Sequence, residues 1–196
     1  SDCNQRCVRR MRCMAVTLPV FFEGEGSAIA AMLGSGVIER VHIRKHGTSE
    51  DDIRRLVETV PSHLRSRLSL HDCHGLAALY GLGVHLNARN PLPPSGFRGL
   101  VSRSCHSLEE ASSPAAYRFL SPVFDSISKT GYRAAFDLGS LRGKVDETFV
   151  VLGGVTPDRL PLLADIGFGG AAFLGYIWQG NPADNLKTIQ NICCSL

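Results

Sequence analysis

Two serines and a lysine, Ser126, Ser128 and Lys129, form the short motif in this sequence that is best suited to chemistry. They follow the apolar run 117–120, which is typical of a buried strand. In an extended segment, positions i and i+2 point the same way, so both hydroxyls can donate to one oxyanion. The lysine adds positive charge, and a phosphate or pyrophosphate is the natural guest. Alone, the motif favours a polar loop with a solvated lysine; similar polar clusters at other strand ends favour a binding site.

Histidines are concentrated at the ends of the predicted strands. Six of the seven fall on or directly after predicted strands two to five: His42, His46, His71, His74, His85 and His106. A single histidine there is usually a hydrogen-bonded core residue, but six beside Arg44, Lys45 and Lys129 predict an anion site that could include a metal. Asp72 is the only carboxylate that ends strands two to five, and magnesium needs only one or two protein carboxylates. A helix N-cap at Asp72 is an equally supported interpretation.

A pair of glycines ends the seventh predicted strand. Gly153 and Gly154 precede a helix that is expected to begin at Thr156 and Pro157. Without side chains, they let backbone amides approach an anion closely. Phosphate sites in barrels often use the loops after strands seven and eight, so Gly175, after the eighth strand, is the matching candidate.

Eight apolar segments that predict strands alternate with helical or irregular segments. The predicted strands cover residues 14–20, 40–45, 68–72, 83–87, 100–105, 117–124, 149–152 and 170–174. This alternation predicts a compact (β/α)8 TIM barrel of α/β class, with its site at the carboxyl ends of the strands. A doubly wound open sheet is the alternative, although no Gly-x-Gly-x-x-Gly follows strand one. The clearest amphipathic helix is expected after a cap at Thr48.

Composition sets the class of protein. The 196 residues are 44% hydrophobic and 20% charged, with a formal net charge of +3. We expect a single barrel domain at 14–196 after a disordered, basic N-terminal extension at 1–13. The mild basicity suits an anionic small molecule and is too weak and scattered to indicate nucleic acid. Seven irregularly spaced cysteines indicate free thiols in a reducing cytoplasm, and no apolar run approaches the length of a membrane span.

Five motifs, in the right order and spacing, resemble the thiamine phosphate synthase (thiamine-phosphate pyrophosphorylase) and thiazole tautomerase superfamily. They cover residues 42–47, 83–86, 104–111, 121–129 and 153–157. The resemblance runs from about Met14 to Trp178, and it looks like a short Bacteroidetes-type subgroup with Gly-x-His-Leu-Asn-Ala-Arg-Asn at 83–90. It implies an enzyme of thiamine biosynthesis that joins a hydroxymethylpyrimidine pyrophosphate to a thiazole phosphate and releases pyrophosphate, with Mg²⁺ as cofactor.

By motif position, the resemblance implies roles for individual residues. Arg44 would bind pyrophosphate, and Ser104 would contact the leaving group or the pyrimidine. The residues expected in catalysis are Arg44, Ser104, His106 and Lys129. The residues expected to bind substrate are Arg44, Lys45, His46, His71, Ser104, Ser126, Ser128, Lys129, Gly153, Gly154 and Gly175. The expected magnesium ligands are Asp72 and Asn90.

Three positions depart from the family pattern. The second magnesium aspartate falls at Asn90, a lysine at His46 and a serine at Gly175. Residues 103–111 also match the tautomerase motif, which would make His106 a proton shuttle. Thiazole tautomerase is therefore one alternative to the synthase. A phosphate-binding regulatory barrel without catalysis is another alternative, motivated by Asn90 and His46. The sequence is compatible with a homo-oligomer.

Overall fold

The strands of the computed structural model, which describes residues 11–124 and 137–196, close into one barrel. The strands are β1 (Arg12–Val16), β2 (Arg40–Ile43), β3 (Leu68–Leu70), β4 (Gly83–Leu86), β5 (Val101–Cys105), β6 (Tyr117–Leu120), β7 (Phe149–Val151) and β8 (Gly170–Phe173). Each pairs in parallel with the next along the chain, and β1 also pairs with β8. The TIM-barrel prediction is confirmed. The open-sheet alternative is wrong, because closure leaves the sheet without an edge.

Helices form an outer layer around the barrel. They are α1 (Glu25–Gly34), α2 (Glu50–Thr59), α3 (Gly75–Tyr80), α4 (Leu138–Leu141), α5 (Leu160–Ile166), α6 (Gly175–Trp178) and α7 (Pro182–Cys194). Residues 87–100, which connect β4 to β5, form no helix. Prolines explain this, since Pro91, Pro93 and Pro94 cannot donate the backbone hydrogen bonds of a helix. Within the described ranges, no helix has the length and apolar character needed to cross a membrane.

Helix α2 shows how the sequence pattern produces this outer layer. Ser49 caps it, because the Ser49 side chain accepts a hydrogen bond from the backbone N–H of Asp52 at 3.2 Å. The predicted cap at Thr48 is wrong by one residue; the Thr48 hydroxyl instead donates to the carbonyl of Lys45. The buried side chains recur at helical spacing and are Ile53, Leu56 and Val57. The helix therefore holds its apolar face against the outside of the barrel.

Strand β1 begins earlier than the sequence predicts. Arg12 donates its backbone N–H to the carbonyl of Gly169 at 2.9 Å, and its side chain is ion-paired with Glu39 at 2.7 Å. The strand therefore starts inside the range assigned to the N-terminal extension. Residues 1–10 lie outside the described part of the chain.

The junction between the first and last strands contains the only tryptophan of the sequence. Trp178, at the end of α6, donates its indole N–H to the carbonyl of Val16 at 2.7 Å. The Phe22 ring contacts the indole edge-on, with ring centroids 5.7 Å apart. Since α6 follows β8 directly, this hydrogen bond ties the carboxyl ends of β1 and β8 together.

Candidate functional site

The carboxyl ends of all the strands open at one mouth, because the strands are parallel and the barrel is closed. Asp72 after β3, Ser104 on β5 and Gly154 after β7 therefore share one end of the molecule. Three of the predicted substrate ligands lie outside the described residues: Ser126, Ser128 and Lys129.

Asp72, an expected magnesium ligand, is ion-paired with an arginine. Arg89 Nε lies 3.1 Å from Asp72 Oδ1, and Arg89 Nη2 lies 3.1 Å from Asp72 Oδ2. The side-chain amide of Asn90 donates to the same Oδ1 at 3.1 Å. This planar, two-bond contact is the geometry in which guanidinium and carboxylate interact most strongly. Arg89 was not among the expected site residues, although its place next to Asn90, where the family has an aspartate, was a signal available in the sequence.

The turn after β4 holds Arg89 and Asn90 in place. The backbones of Asn87 and Asn90 exchange two hydrogen bonds, each of 3.1 Å. Asn87 Oδ1 also accepts from the backbone N–H groups of Arg89 at 3.0 Å and Asn90 at 2.9 Å, so the side chain closes the turn locally. The amide of Asn87 donates to the His71 carbonyl at 2.7 Å. The turn is therefore braced against the end of β3.

This arrangement fits magnesium poorly. Magnesium needs oxygen ligands in near-octahedral geometry, and it is usually held by one or two carboxylates. Here both oxygens of Asp72 accept from Arg89, and the amide nitrogen of Asn90 faces the carboxylate. Rotating that amide would set oxygen against oxygen, which electrostatic repulsion disfavours. Asp72 and Asn90 thus lie together, but in a cluster already neutralised by arginine.

The hydroxyl of Ser104 is held by a buried histidine. His85 Nε2 lies 2.8 Å from Ser104 Oγ, and His85 Nδ1 lies 2.7 Å from Ser102 Oγ. Burial, followed by the charge of nearby His74, lowers the pKa of His85 to about 3. His85 is therefore neutral near pH 7, so one ring nitrogen donates and the other accepts. These bonds fix Ser104 where the barrel interior meets the mouth.

Three histidines lie inside the barrel. His42 Nδ1 is 2.9 Å from His71 Nε2, His42 Nε2 is 2.6 Å from the Tyr117 hydroxyl, and the rings of His71 and His85 stack with centroids 4.2 Å apart. Their ligand atoms lie within 4.8 Å of one another. Burial, then the neighbouring His85, holds the pKa values of His42 and His71 well below the usual value.

This cluster corrects the prediction that the six histidines at the strand ends form one anion site. His42 and His85 are fully buried, and His71 is 4% exposed, so they form a neutral hydrogen-bonded network inside the barrel. The side chain of His71, an expected substrate ligand, points to His42 rather than to the open mouth. Only His46 and His106 among the six are exposed.

Lys45 is the clearest correction among the expected substrate ligands. Its ammonium is buried, lies 2.6 Å from Glu25 Oε2 and donates to the carbonyl of Val20 at 2.7 Å. Burial lowers the pKa of Lys45 and raises that of Glu25, and the ion pair opposes both shifts. The charge of Lys45 is thus used within the fold, between the loop after β2 and α1, and is not available to a substrate.

Arg44 and His46, on either side of Lys45, are exposed at the mouth. The backbone N–H of Arg44 donates to Thr17 Oγ1 at 2.9 Å, which holds the chain as it leaves β2. Both side chains are therefore accessible to a ligand, as the expected roles of Arg44 and His46 require.

His106 follows β5 and is exposed. Its Nδ1 lies 3.1 Å from the Ser121 carbonyl, and its backbone N–H donates to Glu110 Oε2 at 2.8 Å. A carbonyl can only accept, so the neutral ring carries its proton on Nδ1 and leaves Nε2 as an acceptor. A proton shuttle needs such a nitrogen.

The backbone of the glycine pair suits glycine and few other residues. Gly153 has φ of 102° and Gly154 has φ of 65°, both in the left-handed region that favours glycine. A Cβ on Gly153 would lie 3.3 Å from the Cα of Pro122, so the two loops approach closely there. Gly175 begins α6, with open space where a side chain would be.

The fold and the residues at the mouth together define a class of protein. It is a closed parallel barrel that carries exposed arginines, a hydrogen-bonded serine hydroxyl and a glycine pair at the carboxyl ends of its strands. No protein-family model matches the chain, and no curated protein sequence matches it significantly. Solved structures do. The thiamine phosphate pyrophosphorylase of Bacteroides thetaiotaomicron is 32% identical, with a TM-score of 0.80, over 94% of this chain and 98% of that one. The chain belongs to the thiamine phosphate pyrophosphorylase superfamily, a superfamily of enzymes.

Two further structures share the fold at lower identity. The thiamine phosphate pyrophosphorylase of Pyrococcus furiosus is 18% identical, with a TM-score of 0.77, over 95% of this chain and 97% of that one. KGPDC from Streptococcus mutans is 14% identical, with a TM-score of 0.66, over 94% and 98%. These two support the barrel alone, because barrels of this kind host many activities.

Proposed function

We propose that the protein is a thiamine phosphate synthase, which couples a hydroxymethylpyrimidine pyrophosphate with a thiazole phosphate and releases pyrophosphate. The observation that carries this proposal is the 32% identity to the Bacteroides enzyme across almost the whole of both chains. Its substrates are small phosphorylated molecules, in keeping with the mild positive charge of the chain. A cytoplasmic location and a homo-oligomeric state stay predictions from the sequence.

The proposed reaction needs positioning and charge stabilisation more than a general base. The bond between the pyrimidine methylene carbon and the pyrophosphate oxygen breaks, and the thiazole nitrogen supplies the electron pair for the new bond to that carbon. Negative charge develops on the departing pyrophosphate. Arg44 and Arg89, both exposed at the mouth, are the described cations suited to stabilise it.

Hydroxyl and amide donors complete the proposed site. Ser104, held by His85, would donate to the leaving group or the pyrimidine. The backbone amides near Gly153 and Gly154 would bind the thiazole phosphate, with Gly175 at the neighbouring strand end. Ser126, Ser128 and Lys129 would add the phosphate contacts that their spacing predicts.

Thiazole tautomerase is the second candidate, and the geometry of His106 favours it. Nε2 of the neutral ring is an acceptor near the mouth, as proton transfer requires. A tautomerase would act on the thiazole phosphate alone, without the pyrimidine substrate. It would lose activity when His106 loses its imidazole.

The test is a coupling assay with both substrates on wild type, Asp72→Asn and His106→Ala. A synthase should lose most activity in Asp72→Asn, because the Arg89 guanidinium loses its carboxylate anchor, and should slow only modestly in His106→Ala. A parallel assay follows tautomerisation of the thiazole phosphate without the pyrimidine substrate. Turnover in that assay that disappears in His106→Ala but survives in Asp72→Asn, with no coupling by wild type, would favour the tautomerase. Phosphate binding without turnover of either substrate would favour the regulatory barrel.

A further inference from the structure

Asp72, Arg89 and Asn90 form a cluster at the ends of β3 and β4, and its net charge decides which kind of cation can bind pyrophosphate there. Two carboxylates around one magnesium ion would sum to zero net charge. Asp72, the neutral Asn90 and Arg89 also sum to zero, because the guanidinium contributes one positive charge against one carboxylate. The cluster with Arg89 therefore has the same formal net charge as one magnesium ion held by two carboxylates.

The guanidinium of Arg89 keeps donors for a ligand while it binds Asp72. Nε and one N–H of Nη2 face the carboxylate. The two N–H groups of Nη1 and the second of Nη2 point away from it, since the five donors of guanidinium lie in one plane as a rigid fork. The Arg89 side chain is 41% exposed, so these donors are accessible at the mouth. Phosphate oxygens are the acceptors that this donor geometry fits best.

Arg89 is also preorganised. The Asn87 side chain closes the turn that carries it, both Asn87 and Asn90 donate to the His71 carbonyl, and Asn90 shares the Asp72 carboxylate. A ligand would meet a guanidinium whose orientation is already set, which reduces the entropy lost on binding.

We propose that Arg89 is the resident cation of this site and binds the pyrophosphate group directly, so that the protein holds pyrophosphate without a divalent metal. The proposal rests on the proposed function for the identity of the substrate, a pyrophosphate ester. Asp72 and Asn90 are then positioning residues that hold the guanidinium.

The first test is calorimetric titration of the full chain with inorganic pyrophosphate in excess chelator. Wild type should bind, and Arg89→Ala should bind about 10- to 100-fold more weakly, the range for hydrogen bonds to charged groups. Arg142→Ala is the matched control, because Arg142 is also ion-paired with an aspartate, Asp165 at 2.7 Å, near the opposite end of the barrel. It should bind as wild type does. Binding by wild type only after magnesium is added, or unchanged binding by Arg89→Ala, would overturn the proposal.

A double variant tests whether magnesium can take the place of the Arg89 guanidinium. Arg89→Ala combined with Asn90→Asp restores two carboxylates and removes the guanidinium. Its pyrophosphate affinity should rise at least tenfold when magnesium is added, whereas the wild-type affinity should change by less than about twofold. A wild-type affinity that rises as steeply as that of the double variant would contradict the proposal. Thermal unfolding of each variant confirms that it is folded.

The coupling assay separates this inference from the proposed function. Coupling in excess chelator supports both. Coupling that occurs only with magnesium overturns the inference and leaves the synthase. Pyrophosphate binding in chelator with no coupling under any condition overturns the synthase and leaves Arg89 as the pyrophosphate ligand.

Discussion

At the level of single residues, the basic side chains that follow β2 have different roles. Lys45 is buried and neutralised by Glu25, whereas Arg44 on one side of it and His46 on the other face outward to solvent. Alternation accounts for Arg44 and Lys45, because both directly follow β2 and successive side chains of an extended segment point to opposite faces. His46 lies in the turn that follows. The side chains of Arg44 and His46 are therefore accessible at the mouth, whereas that of Lys45 binds Glu25 on α1.

The ion pair of Lys45 predicts a stability effect that a substrate ligand would not show. Lys45→Met should destabilise the fold by about 3–5 kcal/mol, because it leaves a buried, unpaired carboxylate. Adding Glu25→Leu should recover most of that loss, since Glu25 Oε1 already has no hydrogen-bond partner among the described residues. The measurement is denaturant unfolding of both variants.

The matched control for this prediction is the exposed pair of Arg54 with Glu50, 3.6 Å apart on α2. Arg54→Met should cost under about 1 kcal/mol, because solvent screens that pair. Equal destabilisation of the Lys45 and Arg54 variants would contradict the structural role of Lys45.

The sequence motif that ends at Lys129 predicts that this lysine contributes to catalysis. Lys129→Ala should lower coupling turnover by about 100-fold or more, the effect of losing one preorganised charge-stabilising group. The measurement is steady-state kinetics with both substrates. Lys187→Ala, an exposed lysine on α7, is the control and should keep wild-type kinetics. A Lys129 variant that turns over as fast as the control would remove Lys129 from the site.

At the level of secondary structure, short connections decide where the site residues point. The turn 87–90 brings Arg89 to Asp72, and the loop after β2 takes Lys45 to Glu25. Helix α2 follows that loop directly and is started by Ser49. The N-terminal cap of α2 thus also fixes where the loop of Arg44 ends.

The cap of α2 can be tested separately from the site. Ser49→Ala should destabilise the fold by about 1 kcal/mol, because the backbone N–H of Asp52 loses its acceptor. Ser27→Ala, at an exposed position on α1, should change stability by less than about 0.5 kcal/mol. The measurement is again denaturant unfolding. Equal effects of the two substitutions would show that Ser49 does not act as the cap.

For the molecule as a whole, the polar interior of the barrel predicts acid sensitivity. His42, His71 and His85 have pKa values in the folded state below the ordinary 6.5, that of His85 at about 3. The unfolded chain therefore binds more protons below pH 6.5, so their contribution to stability is complete above that pH and is lost as pH falls toward the folded pKa values. Each histidine contributes a slope of up to about 1.4 kcal/mol per pH unit.

The measurement is the free energy of unfolding at several pH values between 7.5 and 5. Stability should fall as pH decreases across this range. His63→Asn is the control: His63 is exposed on the surface, so the variant should reproduce the wild-type slope. A wild-type stability that is flat from pH 7.5 to 5 would contradict a neutral histidine network.

Much of the architecture could be predicted, because strand periodicity and breaker residues are local properties. The alternation of apolar segments was enough for the barrel, and parallel closure then places Asp72, Ser104 and Gly154 at one mouth. The partners of these residues could not be predicted in the same way. Whether Asp72 binds a metal or Arg89 depends on the turn that Asn87 closes. The direction in which this turn points the Arg89 side chain does not follow from the spacing of residues in the sequence.

The interior histidines show the other limit of sequence reasoning. On a strand, alternate positions face the barrel interior, so His42 and His85 were open to prediction as inward-facing residues. Their mutual contacts were not, because His42 and Tyr117 are 75 positions apart and meet only when β2 and β6 face each other across the closed barrel.

The single tryptophan gives the protein an optical reporter at a useful place. The indole of Trp178 donates to the Val16 carbonyl and rests on Phe22, where β1 and β8 meet beside the mouth. Fluorescence excited at the indole band therefore arises from one environment. Its emission follows the opening of the barrel seam during unfolding, and a ligand that displaces Phe22 changes the polarity around the indole. Unfolding can thus be followed in the unlabelled protein.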